Sequence, residues 1–216
     1  MVRAVKPPPR HPFTLLKVPS RTWYRVHPID PVTGDYAPSP FNDSGKGNAR
    51  FSPIFSAVNL NAIPTIYAAN SERGAIEEIV LHDVPTPSTG YLHDIESDLA
   101  GTLHMSAVTL PELTLANLST TGLQAAGLEL ADLFAGEKWD YPRTREWAVW
   151  IWENLLDAEG LFWMSRRDTR SEAIMLFGNR VGNKIVDEKR SLHIAEYEDL
   201  IVELLAEMGA GIAPRI

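Results

Sequence analysis

Near its first third the chain changes hydrophobic period. Pro64-Thr-Ile-Tyr-Ala-Ala is a short β-prone run. Asn70 and Ser71 follow, and both are good helix N-caps because their side-chain oxygens satisfy the free N–H groups of a first helical turn. Ala75, Ile76, Ile79 and Val80 then recur at helical spacing. Residues 65–84 therefore read as strand, cap, helix, and the fold has to house both kinds of element side by side.

The rest of the chain repeats that mixture. A short apolar stretch lies around residues 22–26, and residues 103–115 read as strand-like. Residues 121–134 are Leu- and Ala-rich and read as helical. Residues 144–158 are expected to form a helix with Trp147, Trp150, Ile151 and Leu155 on one face and Gly160 as its C-terminal cap. Residues 161–165 and 173–177 read as strands. Residues 194–208 place Tyr197, Leu200, Ile201, Leu204, Leu205 and Met208 on one stripe, an amphipathic helix ending at Gly209 that serves core packing or an oligomer contact. Residues 30–47 and 85–90, rich in turn formers, read as loop and breaker. The first twelve residues hold Pro7, Pro8, Pro9 and Pro12 and read as an extended arm. This order of elements predicts an α+β fold: an arm over residues 1–19 and a single domain over 20–216.

The 216 residues contain no cysteine, which excludes a disulfide scaffold, a thiol nucleophile and a cysteine-held zinc, and fits a reducing, cytoplasmic setting. A net charge of −8 disfavours direct, non-specific nucleic-acid binding. No apolar run approaches the roughly 20 residues of a membrane helix, and the basic N-terminus lacks the apolar core of a secretory signal. Gly-rich nucleotide loops, the P-loop, the nucleophile elbow and H-E-x-x-H are all missing. The six histidines do not pair at ligand spacing, so no metal site is expected.

What remains is one dense segment: Asn48-Ala49-Arg50-Phe51, then Tyr67-Ala68-Ala69, then Ala75, Glu78 and His82. With Trp23-Tyr24-Arg25-Val26 before it, and with residues 141–147 and Leu161-Phe-Trp-Met-Ser165 after it, the pattern resembles the RES-domain family over about residues 20–180. The resemblance implies an α+β fold similar to ADP-ribosyltransferases, with mixed and antiparallel sheets and flanking helices. It implies NAD as substrate, without a prosthetic group, and inorganic phosphate as a candidate co-substrate. It also implies a toxin-like enzyme that cleaves the nicotinamide N-glycosidic bond of NAD by phosphorolysis or hydrolysis. The partner it implies is a helix-turn-helix, Xre-type antitoxin, and a homodimer is expected. Two other readings stay open: mono-ADP-ribosyl transfer to a protein, and a non-catalytic partner-binding module.

The residue types agree with that chemistry. Breaking a ribosyl bond builds positive charge on the ribose, which a carboxylate such as Glu78 stabilises. Arg50 presents a planar fork of donors to a phosphate, with Arg25 as a second candidate. Tyr67 offers nicotinamide an aromatic face. Ser165 and His82 are expected to position the ligand by hydrogen bonds. Of the adjacent carboxyls, Glu77 is expected to face solvent, since Glu78 shares a helix face with Ala75 and His82. The stretch Ile54 to Ile63 lengthens the gap between Arg50 and Tyr67 and leaves the pose of Arg50 open.

Overall fold

The computed structural model describes residues 5–29, 41–85, 87–136, 138–168, 170–181, 187–188 and 192–214. Residues 30–40, most of the expected long loop, lie outside the described residues. The chain opens with strands β1 (Leu15–Val18) and β2 (Arg21–Pro28). A small ribbon of β3 (Ile54–Phe55) and β4 (Ala62–Ile63) precedes β5 (Thr65–Ala69), which runs into helix α1 (Glu72–Ile79). Then come β6 (Leu92–His93), α2 (Ile95–Leu99), β7 (Leu103–Leu110) and β8 (Leu113–Asn117). Helices α3 (Thr120–Ala125), α4 (Leu130–Phe134) and α5 (Tyr141–Asn154) lead to β9 (Gly160–Met164) and β10 (Glu172–Phe177). The last part carries α6 (Gly178–Val181), β11 (Asp187–Glu188), β12 (Leu192–His193), α7 (Glu198–Met208) and β13 (Gly211–Ile212).

Nine of these strands form one mixed sheet in the order β1-β8-β9-β10-β5-β2-β7-β11, with β12 also on β7. Its ends are not independent. Leu15 pairs with Ala116 and Val18 with Leu113, while Arg21 pairs with Leu110 and Pro28 with Leu103. Both ladders keep one antiparallel register, interrupted where Pro19-Ser20 faces Pro111-Glu112. β1–β2 and β7–β8 are thus two halves of one bent ribbon, and Pro at each bend removes a ladder donor. Because one half borders β9 and the other borders β5, the sheet rolls round on itself.

The period of two then sorts the side chains. Ile66 and Ala68 of β5, Phe162 of β9, and Ile174 and Leu176 of β10 join Trp23, Val108 and Leu113 in an interior lined almost wholly by strands. The alternating residues, Tyr67, Trp163, Ala173, Met175 and Phe177, face outward against the helical layer with Trp147 and Ile151 of α5. A second outer cluster joins α1 to α7 through Ala75, Ile76, Ile201, Leu204 and Leu205. The C-terminal stripe is therefore core, and Gly209 closes it at φ 74°, as expected of a left-handed cap.

The strand–cap–helix expectation over residues 65–84 holds, with Ser71 Oγ accepting from the N–H of Gly74 at 3.0 Å. Four other expectations need correction. Residues 103–115 form two strands, not one, because of the bend at Pro111. Residues 121–134 form two helices, parted at Gly127. The tryptophan helix starts earlier, at Tyr141 with Pro142 in its first turn, and stops at Asn154. Gly160 does not cap it. The guanidinium of Arg180 covers the carbonyls of Trp152, Leu155 and Ala158 instead. The stretch expected as a free arm is also engaged: residues 15–18 are β1, Phe13 packs edge-on to Trp147 at 5.9 Å, and the Trp147 indole donates to the carbonyl of Val5.

Gly160 has a different reason to be glycine. A Cβ there would sit 2.2 Å from the carbonyl oxygen of Met175 on the neighbouring strand. Gly160→Ala is expected to lower the unfolding free energy by about 3 kcal/mol through forced strand separation, read as a fall in the urea midpoint.

Candidate active site

β5 ends and α1 begins at the edge of a cleft of about 920 Å³, cut between the outward face of the sheet and the helical layer. Arg25, Arg50, Tyr67, Glu78 and His82 all line it. Ser165 is buried at 2% exposure and is not on the cleft wall. Its hydroxyl donates to Glu78 Oε1 at 2.6 Å, so it reaches the cleft through that carboxyl. No hydrogen bond to Glu78 Oε2 is present among the described residues.

Arg50 is held from three sides. Its Nη1 donates to the carbonyls of Leu133 (3.1 Å) and Gly136 (3.4 Å), at and just beyond the C-terminal end of α4, where helix carbonyls favour a cation. Its guanidinium carbon lies 4.9 Å from the ring centre of Tyr141 and 5.6 Å from that of Phe134. The first turns of α5 grip the backbone before it: Thr144 Oγ1 donates to the carbonyl of Arg50, and Arg145 Nε donates to that of Ala49 at 3.1 Å. Ile54 and Ile63 at the base of the β3–β4 ribbon are buried in the core. The inserted residues 54–63 thus form a hairpin anchored at its base. Burial lowers the Arg50 pKa, and Arg166 adds to that lowering.

Tyr67 is anchored by its hydroxyl, which accepts from the N–H of Phe51 at 3.1 Å, while Trp163 meets its ring edge-on at 6.1 Å. Burial pushes its phenol above the ordinary tyrosine range. His82 lies past the end of α1, in the following turn. Its Nε2 is 2.9 Å from the Tyr141 hydroxyl and its Nδ1 3.0 Å from Asp83. Arg25 projects from β2, opposite Ser106 in the ladder.

Glu77 departs from expectation. It is 2% exposed, whereas Glu78 is only partly buried. The flank of α1 that carries Glu77 is covered by α7 and by Asp168 and Ser171, which the period of α1 alone does not reveal. Arg73 links Glu77 (3.5 Å), Asp168 (3.7 Å) and Glu207 in one ion network. Burial, with lesser pressure from Asp168, Glu78 and Glu207, raises the Glu77 pKa to about 7 against the pull of Arg73.

Several further residues line the cleft: Phe134, Lys138 and Arg166, which carried no sequence signal, and Tyr141 and Trp163, which lie in segments of the family resemblance but were not singled out for the site. Tyr141 could have been found as the residue next to Pro142 at a helix start, and the others only through long-range contact. Charge also concentrates here. Arg25, Arg50, Lys138, Arg166 and Arg167 line the cleft together with Glu77, Glu78 and Asp83, in a chain whose net charge is −8. A cationic cleft in an acidic chain draws anionic ligands. No group of His, Asp or Glu suited to a metal ion occurs among the described residues.

Fold and cleft define an α+β domain with a large cleft, rich in basic side chains among the described residues, on the outer face of a rolled sheet. A RES-domain model matches residues 22–195, and the chain belongs to the RES-domain family. A chain of the crystallised M. tuberculosis MbcT–MbcA toxin–antitoxin complex has a similar fold, with a TM-score of 0.57 and 19% identity over 84% of this chain and 88% of that one. No curated protein matches the sequence significantly.

The raised Glu77 pKa has a thermodynamic consequence. The folded state holds the proton more tightly than the unfolded chain, so this stabilisation is full below pH 4.5 and is lost as pH rises to about 7. Glu77→Gln is expected to remove that loss, so that at pH 8 the variant unfolds at higher urea than the parent by on the order of 2 kcal/mol, with no such gain at pH 4.5. Equal pH profiles for the two proteins would refute the buried-acid assignment.

Proposed function

We propose that this protein cleaves the nicotinamide N-glycosidic bond of NAD. The observation that carries the reading is Glu78, held through one oxygen by Ser165 at 2.6 Å and open through the other, in one cleft with Arg50 and Tyr67. As the ribosyl–nicotinamide bond lengthens, its electron pair leaves with the nicotinamide nitrogen and positive charge grows on the ribose. Glu78 stabilises that charge, and Ser165 keeps the carboxyl from turning away. Tyr67 supplies a ring face for the nicotinamide, with Trp163 behind it. Arg50 holds a phosphate of the dinucleotide. His82 and Arg25 complete the wall and orient the ribose. A phosphate oxygen or a water then bonds to the ribosyl carbon, and phosphate is favoured as the attacking group because the cleft is cationic.

Membership of the RES-domain family and a fold shared with a chain of a toxin–antitoxin complex support a toxin role for this activity, with depletion of NAD as its effect and a separate antitoxin protein as its silencer. NAD loss is to be followed with and without inorganic phosphate. Wild-type protein is expected to consume NAD and release nicotinamide. Glu78→Gln is expected to reduce kcat by roughly 100- to 1000-fold with an unchanged unfolding midpoint. Ser165→Ala should lower kcat by roughly 10- to 100-fold, the worth of a hydrogen bond to a charged group. Absence of NAD loss in wild type under both conditions would sink the proposal. Label from NAD appearing on protein would redirect it to ADP-ribosyl transfer.

A further inference from the structure

The cleft has an annex. A hollow of about 410 Å³ adjoins it, and Glu77, Pro85, Arg166 and Arg167 line both. Most cations around this junction are already committed. Lys138 pairs with Asp83 at 2.6 Å, Arg167 donates to the carbonyl of His82, and Arg73 is shared among three carboxyls. Arg166 differs: it is exposed, and among the described residues it makes no hydrogen bond and no ion pair.

Its guanidinium is uncommitted, yet its backbone is anchored. The Ser165 hydroxyl accepts from the N–H groups of Arg167 (3.1 Å) and Asp168 (3.5 Å) while donating to Glu78. The turn that carries Arg166 is therefore tied to the carboxyl at the centre of the cleft. Arg166 and Arg50 line the same cavity, and neither forms an ion pair with a carboxylate among the described residues. The two guanidinium groups repel, and the charge of Arg166 adds to the lowering of the Arg50 pKa. Glu78 offsets part of the Arg50 charge across the cleft, but no carboxylate among the described residues pairs with either guanidinium. An anion between them turns repulsion into two charge-assisted forks.

We propose that Arg166 and Arg50 form a two-arginine phosphate site in the main cleft, with Arg166 at its border with the annex, one that takes a phosphate group of a nucleotide or free inorganic phosphate. The assignment of the ligand rests on the NAD reading above, whereas the anion site itself does not. On this proposal Arg166, rather than Arg25, is the second phosphate-gripping arginine.

Calorimetric titration of the full chain with inorganic pyrophosphate and with inorganic phosphate tests the site without any turnover. Arg166→Gln is expected to weaken binding of at least one of them by roughly tenfold or more, while Lys17→Gln, the same loss of charge at an exposed pair with Glu112, changes it by less than about twofold. In the NAD assay Arg166→Gln should raise a KM with little change in kcat. A raised KM for NAD at saturating phosphate identifies the nucleotide as the source of the phosphate group. A raised KM for phosphate identifies the co-substrate. Binding that Arg166→Gln does not weaken, or that Lys17→Gln weakens equally, overturns the site whatever the NAD assay shows. If wild type leaves NAD intact while Arg166→Gln still abolishes pyrophosphate or phosphate binding, the activity fails and the anion site stands.

Discussion

The bent ribbon of β1–β2 against β7–β8 is the constraint from which the rest follows. One antiparallel register runs through it, yet its halves border different strands of the same sheet. The sheet must roll to satisfy both, and rolling makes an interior that only strand side chains can fill. Once Ile66, Ala68, Ile174 and Leu176 are committed to that interior, the period of two leaves Tyr67 and Trp163 no choice of face. A one-residue slip of β5 would bury Tyr67 among strands and turn Ile66 and Ala68 to the cleft. The aromatic wall of the site is thus a by-product of how the sheet closes.

Helices then supply what the sheet cannot. α1 begins one residue beyond the cap that ends the β5 segment, so Glu78 and Tyr67 stand on a continuous, rigid strand–cap–helix unit. Arg50 sits on irregular backbone, and its pose comes from elsewhere: carbonyls at the end of α4, the ring of Tyr141, and the grip of Thr144 and Arg145 on the preceding chain. This division explains how the β3–β4 hairpin is tolerated between Arg50 and Tyr67. The hairpin is closed at its base by Ile54 and Ile63, and the residues it separates are positioned by other elements.

The same division sets what could be read in advance. The α+β class, the capped helix after β5 and the C-terminal helix were legible because period and cap chemistry are local. The roll of the sheet was not, since register over a separation of about 80 residues has no local trace and Pro19 and Pro111 look like ordinary turn residues. Among site residues, Arg50, Tyr67, Glu78 and His82 share a short stretch of chain and a recognisable spacing, and all four reach one cleft. Tyr141, Trp163 and Arg166 come from segments distant in sequence, and although the first two lie in stretches of the family resemblance, nothing local shows that they reach the cleft. Ser165 was visible as a residue type, but its place behind Glu78 rather than on the cleft wall depends on burial that no spacing rule gives.

Glu77 and Glu78 show how finely packing divides two identical neighbours. Helical geometry separates adjacent side chains by about 100°, which made one of them a solvent residue on sequence grounds. That inference assumes that the flank of α1 carrying Glu77 is open. α7 closes it, and Arg73 becomes the centre of a network that includes Glu77, Asp168 and Glu207. A carboxyl so buried and so surrounded by acids holds its proton to about pH 7. Glu77 consequently cancels little of the cationic charge in the cleft below that pH. The field around Glu78 therefore depends on the protonation of its neighbour, which lines the same cleft but belongs to the ion network of Arg73.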